Sequence, residues 1–220
     1  MWTYGMMHDY DISSTICRDI LSRPHSIEIP VIVAVCGASG SGKTRIANEY
    51  RCIIRDITRG SVIPSIIYGD NFYIEGKTVE EYTFTDPVAK VYSVDALRGV
   101  VSDINNFGTS YIYTPYHEFH TTNTYANIVA LVPSEVIIVE GIYTLYAEHI
   151  NEFATGGCQL FDIRVLIDID PYKREQFSIA RDSAERSVSV DVMKERDNMR
   201  KLAYEKYILP YSSKADYIVN

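Results

Sequence analysis

A glycine-rich octapeptide at residues 37–44 is the segment with the most specific chemistry. It consists of Gly37, Ala38, Ser39, Gly40, Ser41, Gly42, Lys43 and Thr44, and it matches the pattern G-x-x-x-x-G-K-[ST]. Glycines at this spacing let successive backbone N–H groups point at phosphate oxygens, and the positive end of a following helix adds to the attraction. We expect Lys43 to reach the β- and γ-phosphates of a nucleotide and the Thr44 hydroxyl to ligate Mg²⁺. The apolar run VIVAV before the loop and the helical pattern after it favour a nucleotide site over a chance Gly/Ser turn.

Two further apolar runs each end in a carboxylate. The run SIIYGD at 65–70 ends in Asp70, and VIIVE at 136–140 ends in Glu140. Ligands of parallel sheets bind beyond the carboxyl ends of the strands, so both side chains are expected beside the phosphate loop. A carboxylate there can take the proton of an acceptor hydroxyl, and we expect Asp70 to be this base. Glu140, with Thr44 and Asp70, is expected to lie around Mg²⁺, which prefers oxygen ligands.

Each carboxylate also has a purely structural alternative. Asp70 precedes Asn71 and could simply form a turn. Glu140 precedes a helix predicted at 143–154 and could cap it. The joint occurrence of both carboxylates with the phosphate loop at one sheet edge favours the functional interpretation.

The elements that must position these residues alternate between apolar strands and helices. Strands are predicted at 31–35, 65–70, 136–140, 162–169 and 216–219, and helices at 43–57, at 94–104 and twice across 172–208. Such alternation predicts an α/β fold with a parallel sheet covered on both faces. Tyr/Thr-rich stretches at 110–115 and 122–129 predict a β-hairpin, in an acceptor region at about 108–130. Residues 1–28 are expected to be a helical leader before a single domain at 29–220.

Composition narrows the function classes. The chain has 220 residues, of which 46% are apolar and 23% charged, as is usual for one folded domain. The net charge of −8 argues against nucleic-acid binding. The apolar runs are too short for membrane spans, so no membrane association is expected. The four cysteines show no C-x-x-C spacing, which favours reduced thiols in the cytoplasm.

Taken in order, the motifs resemble those of the uridine kinase/phosphoribulokinase family. They are GASGSGKT, GDNFY at 69–73, IIVEGIYTLY at 137–146, LFDIRVLIDIDPYKR at 160–174, ARDSAER at 180–186 and ILPYSSKADYIV at 208–219. The resemblance runs from about residue 32 to the C-terminus. It implies a P-loop NTPase fold of the nucleoside-monophosphate-kinase type, with a five-stranded parallel core and ATP and Mg²⁺ as co-substrates. It supports Asp70 as the base and Thr44 with Glu140 around the metal.

The resemblance also implies a helical lid within 172–208 that carries arginines facing the phosphates. Arg174, Arg181 and Arg186 match that pattern. Arg174 and Arg181 lie two turns apart on one helical face, and guanidinium groups there could neutralise charge on the transferred phosphoryl group. We assign Arg181 to catalysis and Arg186 to the nucleotide. The alternative is a solvated helix face on which Asp182 pairs with Arg186.

The acceptor side departs from the family pattern in the predicted hairpin. Uridine kinases usually carry a segment like P-x-Y-D-F-x-x-H-x-R, which corresponds here to 115–124. His117 and Glu118 replace its Tyr-Asp pair, and Thr122 and Thr124 replace the later His and Arg. His117 also has an alternative interpretation without a functional role, as a solvent-exposed hairpin residue.

Further departures lie in a loop and in the predicted lid. The family's F-D-H-P segment is FTDP at 84–87, so its sugar-binding aspartate is displaced or replaced by Asp86. Ser178 and Val188 stand where arginines are expected, and Arg196 stands where the family tends to place a neutral amide. Arg196 would suit an acidic or phosphorylated acceptor. The candidate substrate residues are therefore Tyr73, Asp86, His117, Glu118, Arg174 and Arg196.

These observations predict a kinase that moves the γ-phosphoryl group of ATP onto a hydroxyl of a small molecule, with a nucleoside or ribose-like acceptor. The substitutions predict that uridine and cytidine are poor substrates. A phosphoribulokinase-like or other sugar/acid kinase stays open, as does a nucleotide-binding module without transfer activity. Neither an N-K-x-D motif of GTPases nor an L-S-G-G-Q-like motif of ABC ATPases occurs in the sequence. ATP against GTP as the donor and homo-oligomer formation are also left open.

Overall fold

A five-stranded parallel sheet forms the centre of the fold in the computed structural model, which describes residues 4–74, 92–110, 112–118, 123–150, 159–174, 176–177 and 201–220. The strands are β1 (Val31–Gly37), β2 (Ser65–Tyr68), β3 (Tyr113–Glu118), β4 (Asn123–Ala130), β5 (Val136–Glu140), β6 (Ile163–Ile167) and β7 (Tyr217–Val219). The sheet has the order β2-β5-β1-β6-β7, and all neighbouring pairs are parallel. The predicted α/β fold with a five-stranded parallel core is confirmed.

Helices cover the sheet. They are α1 (Tyr4–Ser22), α2 (Lys43–Ile57), α3 (Val94–Phe107) and α4 (Thr144–His149), with 3₁₀ turns at Gly69–Phe72 and Leu209–Lys214 and helical residues at 171–174, 176–177 and 201–207. Helix α3 begins where the Ser93 hydroxyl accepts a hydrogen bond from the Ala96 N–H at 3.2 Å. It ends at Gly108, whose positive φ of 73° breaks the helical path. None of the helices among the described residues is long and apolar enough to cross a bilayer.

The core lies on both faces of the sheet, which explains why the strands are uninterrupted apolar runs. Alternate residues of β1 point to opposite faces: Ile32 and Ala34 contribute to a cluster under α3 and α4, whereas Val33 and Val35 contribute to a cluster under α1 and α2. Ile16, Cys17 and Ile20 of α1 belong to the second cluster and are fully buried. The helix predicted near the N-terminus is therefore packed against the sheet domain.

The predicted hairpin is formed by β3 and β4, which pair antiparallel from Tyr113 opposite Ala130 to Glu118 opposite Asn123. Its first strand lies later than the predicted stretch at 110–115, because pairing continues beyond Pro115. The register shifts between Thr114 and Tyr116, on either side of the proline. A bulge tolerates a residue that has no N–H to donate, so Pro115 does not end the strand.

A buried ion pair joins α4 to β6. Arg164 donates to both carboxylate oxygens of Glu148. Its Nε lies 2.5 Å from Oε2, and its Nη2 lies 2.6 Å from Oε1. Glu148 Oε1 also accepts the backbone N–H groups of Leu160 and Phe161, at 2.9 and 3.2 Å. The carboxylate thus anchors both the helix and the segment that enters β6.

Candidate active site

The phosphate loop connects β1 to α2, as the motif predicts. Gly42, the residue before α2, has φ 87°, a left-handed conformation that other residues rarely adopt. Gly37 is required for space, because a Cβ there would lie 2.6 Å from the carbonyl oxygen of Ile167. Lys43 Nζ donates to the Ala38 carbonyl at 2.9 Å, so the amine lies across the loop.

A buried hydroxyl in the loop lacks a partner. Ser41 is 5% exposed, and its Oγ makes no hydrogen bond within the part of the chain that the structure describes. An unpaired buried hydroxyl costs about 1–3 kcal/mol. A phosphate oxygen held by the loop could supply this hydrogen bond, so the residues present fit a nucleotide.

Glu140 lies beside the loop because β5 is the direct neighbour of β1, with Glu140 opposite Val35. The Thr44 hydroxyl donates to Glu140 Oε1 at 3.1 Å. Glu140 is only 4% exposed, and burial raises the pKa of its carboxyl from 4.5 to about 7. Nearby Lys43 and the hydrogen bond from Thr44 oppose this rise in pKa, whereas the charge of Asp70 adds to it.

The alternative that Glu140 caps α4 is wrong. The residue before α4 is Tyr143, and no side chain caps the helix there. The Glu140 carboxylate instead accepts the Thr44 hydroxyl, which belongs to the phosphate loop.

Thr44 and Glu140 present the oxygen donors that Mg²⁺ prefers. Across the described residues, no group of three or more His, Cys, Asp or Glu side chains could hold a metal by itself. A magnesium ion of the kinase type is bound by one or two protein side chains together with substrate phosphates and water. The adjacent Thr44 and Glu140 oxygens fit this donor set.

Asp70 reaches the same edge through a sharp turn. Strand β2 pairs with β5 up to Tyr68 opposite Glu140, and the 3₁₀ turn at Gly69–Phe72 follows at once. A Cβ on Gly69 would lie 2.8 Å from the Glu140 carbonyl oxygen, so only glycine permits this approach. Asp70 is exposed, and its charge raises the pKa of Glu140. The structural alternative for Asp70 is thus partly correct, since Asp70 does lie in a turn, and that turn brings its charge close enough to Glu140 to affect the pKa of Glu140.

On the acceptor side, His117 is 2% exposed, so its interpretation as a solvent-exposed hairpin residue is wrong. Strand β3 packs against the turn at Gly69–Phe72, and the His117 N–H donates to Asn71 Oδ1 at 3.4 Å. Thr124 Oγ1 lies 2.7 Å from both His117 Nδ1 and the Tyr73 carbonyl oxygen. The carbonyl can only accept, so the single Thr124 proton points to it and His117 Nδ1–H donates to Thr124. Burial lowers the pKa of His117, which favours the neutral ring in this tautomer.

A tyrosine cluster adjoins the Asp70 turn, and the sequence did not predict it. The Tyr73 and Tyr92 rings meet edge to face with centroids 5.6 Å apart, and Tyr92 and Tyr143 are 4.8 Å apart. Tyr143 also contacts Tyr207 at 5.7 Å. Tyr92 and Tyr143 are each 3% exposed. The abundance of tyrosine was the available signal, but composition does not show which rings meet.

Of the three candidate lid arginines, Arg174 lies within the described residues. It is 8% exposed, and its guanidinium carbon lies 5.4 Å from the centroid of the Tyr204 ring. Tyr204 in turn donates to Asp168 Oδ1 at 2.9 Å. The roles of Arg174, Tyr73 and the half-buried Glu118 toward a substrate stay predictions. Asp86, Ser178, Arg181, Arg186, Val188 and Arg196 lie outside the described residues.

Known proteins provide an independent comparison. The model of the phosphoribulokinase / uridine kinase family matches residues 32–220. A uridine kinase from Lactobacillus helveticus is 30% identical over 196 residues, which cover 88% of this chain and 87% of that protein. Uridine-cytidine kinase 2-B from Danio rerio is 26% identical over 217 residues, which cover 94% of this chain and 79% of that protein.

The fold also matches a solved structure. A protein from Silicibacter sp. TM1040, provisionally described as a fructose transport system kinase, has a TM-score of 0.69 and 17% identity to this chain. The match covers 94% of this chain and 98% of that chain, and at this identity it shows the fold alone. From the family match and the kinase relatives, we conclude that this chain belongs to the phosphoribulokinase / uridine kinase family and is an ATP-dependent small-molecule kinase.

Proposed function

We propose that this protein transfers the γ-phosphoryl group of ATP to a hydroxyl of a nucleoside or ribose-like acceptor, with Asp70 as the general base. The observation that carries the proposal is the meeting of the phosphate loop, Glu140 and Asp70 at one edge of the sheet. Uridine and uridine-cytidine kinases among the relatives support an acceptor of this class. The cytoplasm is the proposed location.

The residues divide between donor and acceptor. The loop N–H groups and Lys43 hold the β- and γ-phosphates. The exposed Asp70 carboxylate takes the acceptor proton as the hydroxyl oxygen bonds to the γ-phosphorus. The bond from phosphorus to the oxygen between the β- and γ-phosphates breaks, so ADP leaves with that electron pair. When bound between Thr44 and Glu140, Mg²⁺ would neutralise phosphate charge.

Further residues complete the proposal through the family resemblance. Arg181 would stabilise the transferred phosphoryl group and Arg186 would bind the nucleotide. Asp86, Arg174 and Arg196 would contact the acceptor, together with Tyr73, His117 and Glu118.

The acceptor pocket is expected to disfavour pyrimidine nucleosides. His117 and Thr124 occupy positions where the family's pattern differs, and they are hydrogen-bonded to each other. The Thr124 hydroxyl also donates to the Tyr73 carbonyl. Groups that recognise a base discriminate strongly, because an unmatched analogue leaves buried polar groups unpaired. An anionic acceptor is expected to react better if Arg196 faces the pocket.

One alternative class of acceptor stays open. A sugar or hydroxy-acid kinase would use the same donor site with another acceptor. The protein from Silicibacter sp. TM1040, which shares this fold, is provisionally described as a fructose transport system kinase. The family match and the kinase relatives argue against a nucleotide-binding module without transfer activity.

A substrate panel tests the proposal. Nucleosides, phosphorylated pentoses and hydroxy acids are each incubated with ATP or GTP and Mg²⁺, and ADP or GDP release is coupled to the product mass. We expect one hydroxyl compound to reach a kcat/KM within about 10⁴–10⁸ M⁻¹s⁻¹, with uridine and cytidine well below it. Lys43→Ala serves as the negative control, because transfer at this site depends on the phosphate loop. Tight ATP binding without transfer to any compound would contradict the proposal and favour a nucleotide-binding module without transfer activity. Efficient phosphorylation of uridine or cytidine would contradict our interpretation of the acceptor pocket.

A further inference from the structure

The hydroxyl of Tyr92 is buried and has no hydrogen-bond partner among the described residues. Tyr92 is 3% exposed, and its ring is fixed between Tyr73 and Tyr143. A phenylalanine would fill the same space without leaving a polar atom unpaired. The ring packing alone therefore does not account for the hydroxyl.

The backbone ties Tyr92 to the turn that carries Asp70. Tyr92 forms an antiparallel bridge with Tyr73, and the next N–H, that of Ser93, donates to the Phe72 carbonyl at 2.8 Å. The tyrosine oxygen lies directly against Gly69, since a Cβ placed on this glycine would be 3.2 Å from it. The hydroxyl is thus adjacent to the residue that precedes Asp70.

Two carboxylates lie near this hydroxyl, and they differ in their partners. Glu140 already accepts the Thr44 hydroxyl. Asp70 is exposed, and among the described residues it makes no hydrogen bond or ion pair. Asp70 also exerts the largest electrostatic influence of any single residue on Tyr92, followed by Tyr73 and Glu140. Burial and these neighbours raise the pKa of Tyr92 well above its usual value, so the hydroxyl keeps its proton and can donate it.

We propose that Tyr92 is a positioning residue whose hydroxyl donates a hydrogen bond to the Asp70 carboxylate when the acceptor is bound. A base needs one carboxylate oxygen directed at the proton that it takes. A donor on the other oxygen fixes the orientation of the carboxylate and leaves the reactive oxygen exposed. This inference rests on the proposed function, because it assigns Tyr92 to the base of that reaction.

Tyr92→Phe tests the inference because it removes the hydroxyl and keeps the ring. We expect kcat with the best acceptor to fall by about 10–100-fold, which is the range for one hydrogen bond to a charged group. The KM for ATP should stay within about twofold, because the aromatic contacts of Tyr92 are with Tyr73 and Tyr143, which lie outside the phosphate loop. The Tm of the free enzyme should be unchanged or higher by about 2–4 °C, since an unpaired buried hydroxyl is removed.

Tyr50 provides a matched control. It is fully buried, and its hydroxyl likewise lacks a partner among the described residues, but it lies on α2 in the cluster on the other face of the sheet. Tyr50→Phe should leave kcat unchanged, with the same neutral or positive change in Tm. A reduced kcat in Tyr92→Phe alone supports the inference, whereas an equal kcat in both variants and the wild type would overturn it.

A double-mutant cycle separates this inference from the proposed function. If Tyr92 acts through Asp70, the change Tyr92→Phe should cost nothing further in an Asp70→Asn background. Full additivity of the two losses would show that Tyr92 acts elsewhere, even with Asp70 retained as the base. Asp70→Asn with wild-type kcat would instead count against the proposed function itself.

Discussion

At the scale of single residues, the two carboxylates of the site differ in their solvation. Glu140 is buried against the phosphate loop, and Asp70 is exposed at the end of its turn. Burial makes the charge of Glu140 costly unless a cation compensates for it. An exposed carboxylate keeps its charge in water and can accept a proton from a bound hydroxyl. The solvation of each side chain therefore agrees with its proposed role, Glu140 toward a cation and Asp70 toward the acceptor.

The raised pKa of Glu140 predicts a pH dependence of stability. The folded state holds the Glu140 proton up to about pH 7, whereas the unfolded chain releases it near its ordinary value of 4.5. The stability associated with the protonated carboxyl is therefore fully present below pH 4.5 and is lost as the pH rises toward 7. Between pH 4.5 and 7 the free energy of unfolding of the wild type should fall by on the order of 3 kcal/mol relative to that of Glu140→Gln, whose amide does not titrate.

Urea unfolding of both proteins between pH 5 and 8, without nucleotide or Mg²⁺, measures this difference. The gap between their free energies of unfolding should grow with pH in favour of Glu140→Gln and level off above about pH 7. A gap that is independent of pH would show that Glu140 is ionised throughout the range.

At the scale of elements, the turn at Gly69–Phe72 determines the position of Asp70, the proposed base. Its first residue has no space for a side chain, because a Cβ on Gly69 would meet the Glu140 carbonyl oxygen at 2.8 Å and Gly141 Cα at 3.0 Å. Both atoms belong to the backbone at the end of β5 and cannot rotate away. The close contact between the ends of β2 and β5 thus fixes the turn that carries Asp70 against the end of the strand that carries Glu140.

Gly69→Ala should move this turn. We expect a loss of about 1–3 kcal/mol in the free energy of unfolding, from overpacking, and a fall in kcat of at least about tenfold because Asp70 is displaced. Gly99→Ala is the matched control, since Gly99 lies within α3 and a Cβ there would have no atom within 4 Å apart from its chain neighbours and the nearby backbone of its own helix. That change should instead stabilise the helix by about 0.5–1 kcal/mol with kcat unaltered. Equal kcat in Gly69→Ala and the wild type would show that the reaction tolerates a shifted Asp70.

The elements that could be predicted from the sequence were those with a local cause. Strands β1 and β5 are apolar throughout because both faces of the sheet are covered, and the phosphate loop follows from its glycines and Lys43. The burial of His117 could not be predicted, because it depends on how β3 packs on a turn 45 residues earlier in the chain. The unpaired hydroxyl of Tyr92 likewise results from tertiary contacts with Gly69 and Tyr143. The predicted roles of the lid arginines stay predictions.

At the scale of the whole molecule, the donor site and the acceptor region depend on different parts of the fold. The phosphate loop and Glu140 lie on the central strands β1 and β5, between two buried clusters. The proposed acceptor region combines the edge strand β2, the hairpin and the tyrosine cluster. A central sheet constrains the residues on it more tightly than an edge and a hairpin do. This division agrees with a sequence that matches the family in its phosphate loop and departs from it in the hairpin.

The central claim, that this protein transfers a phosphoryl group with Asp70 as the base, is tested most directly by Asp70→Asn. Transfer of radiolabelled γ-phosphate from ATP to the best acceptor of the panel is measured in single-turnover and steady-state experiments, with ATP affinity determined separately. We predict that kcat falls by about 10²–10⁴-fold while the ATP affinity is retained, because the amide keeps the shape of the side chain but cannot take the proton. A loss confined to the KM of the acceptor, with kcat unchanged, would contradict the account and make Asp70 a residue that only positions the acceptor.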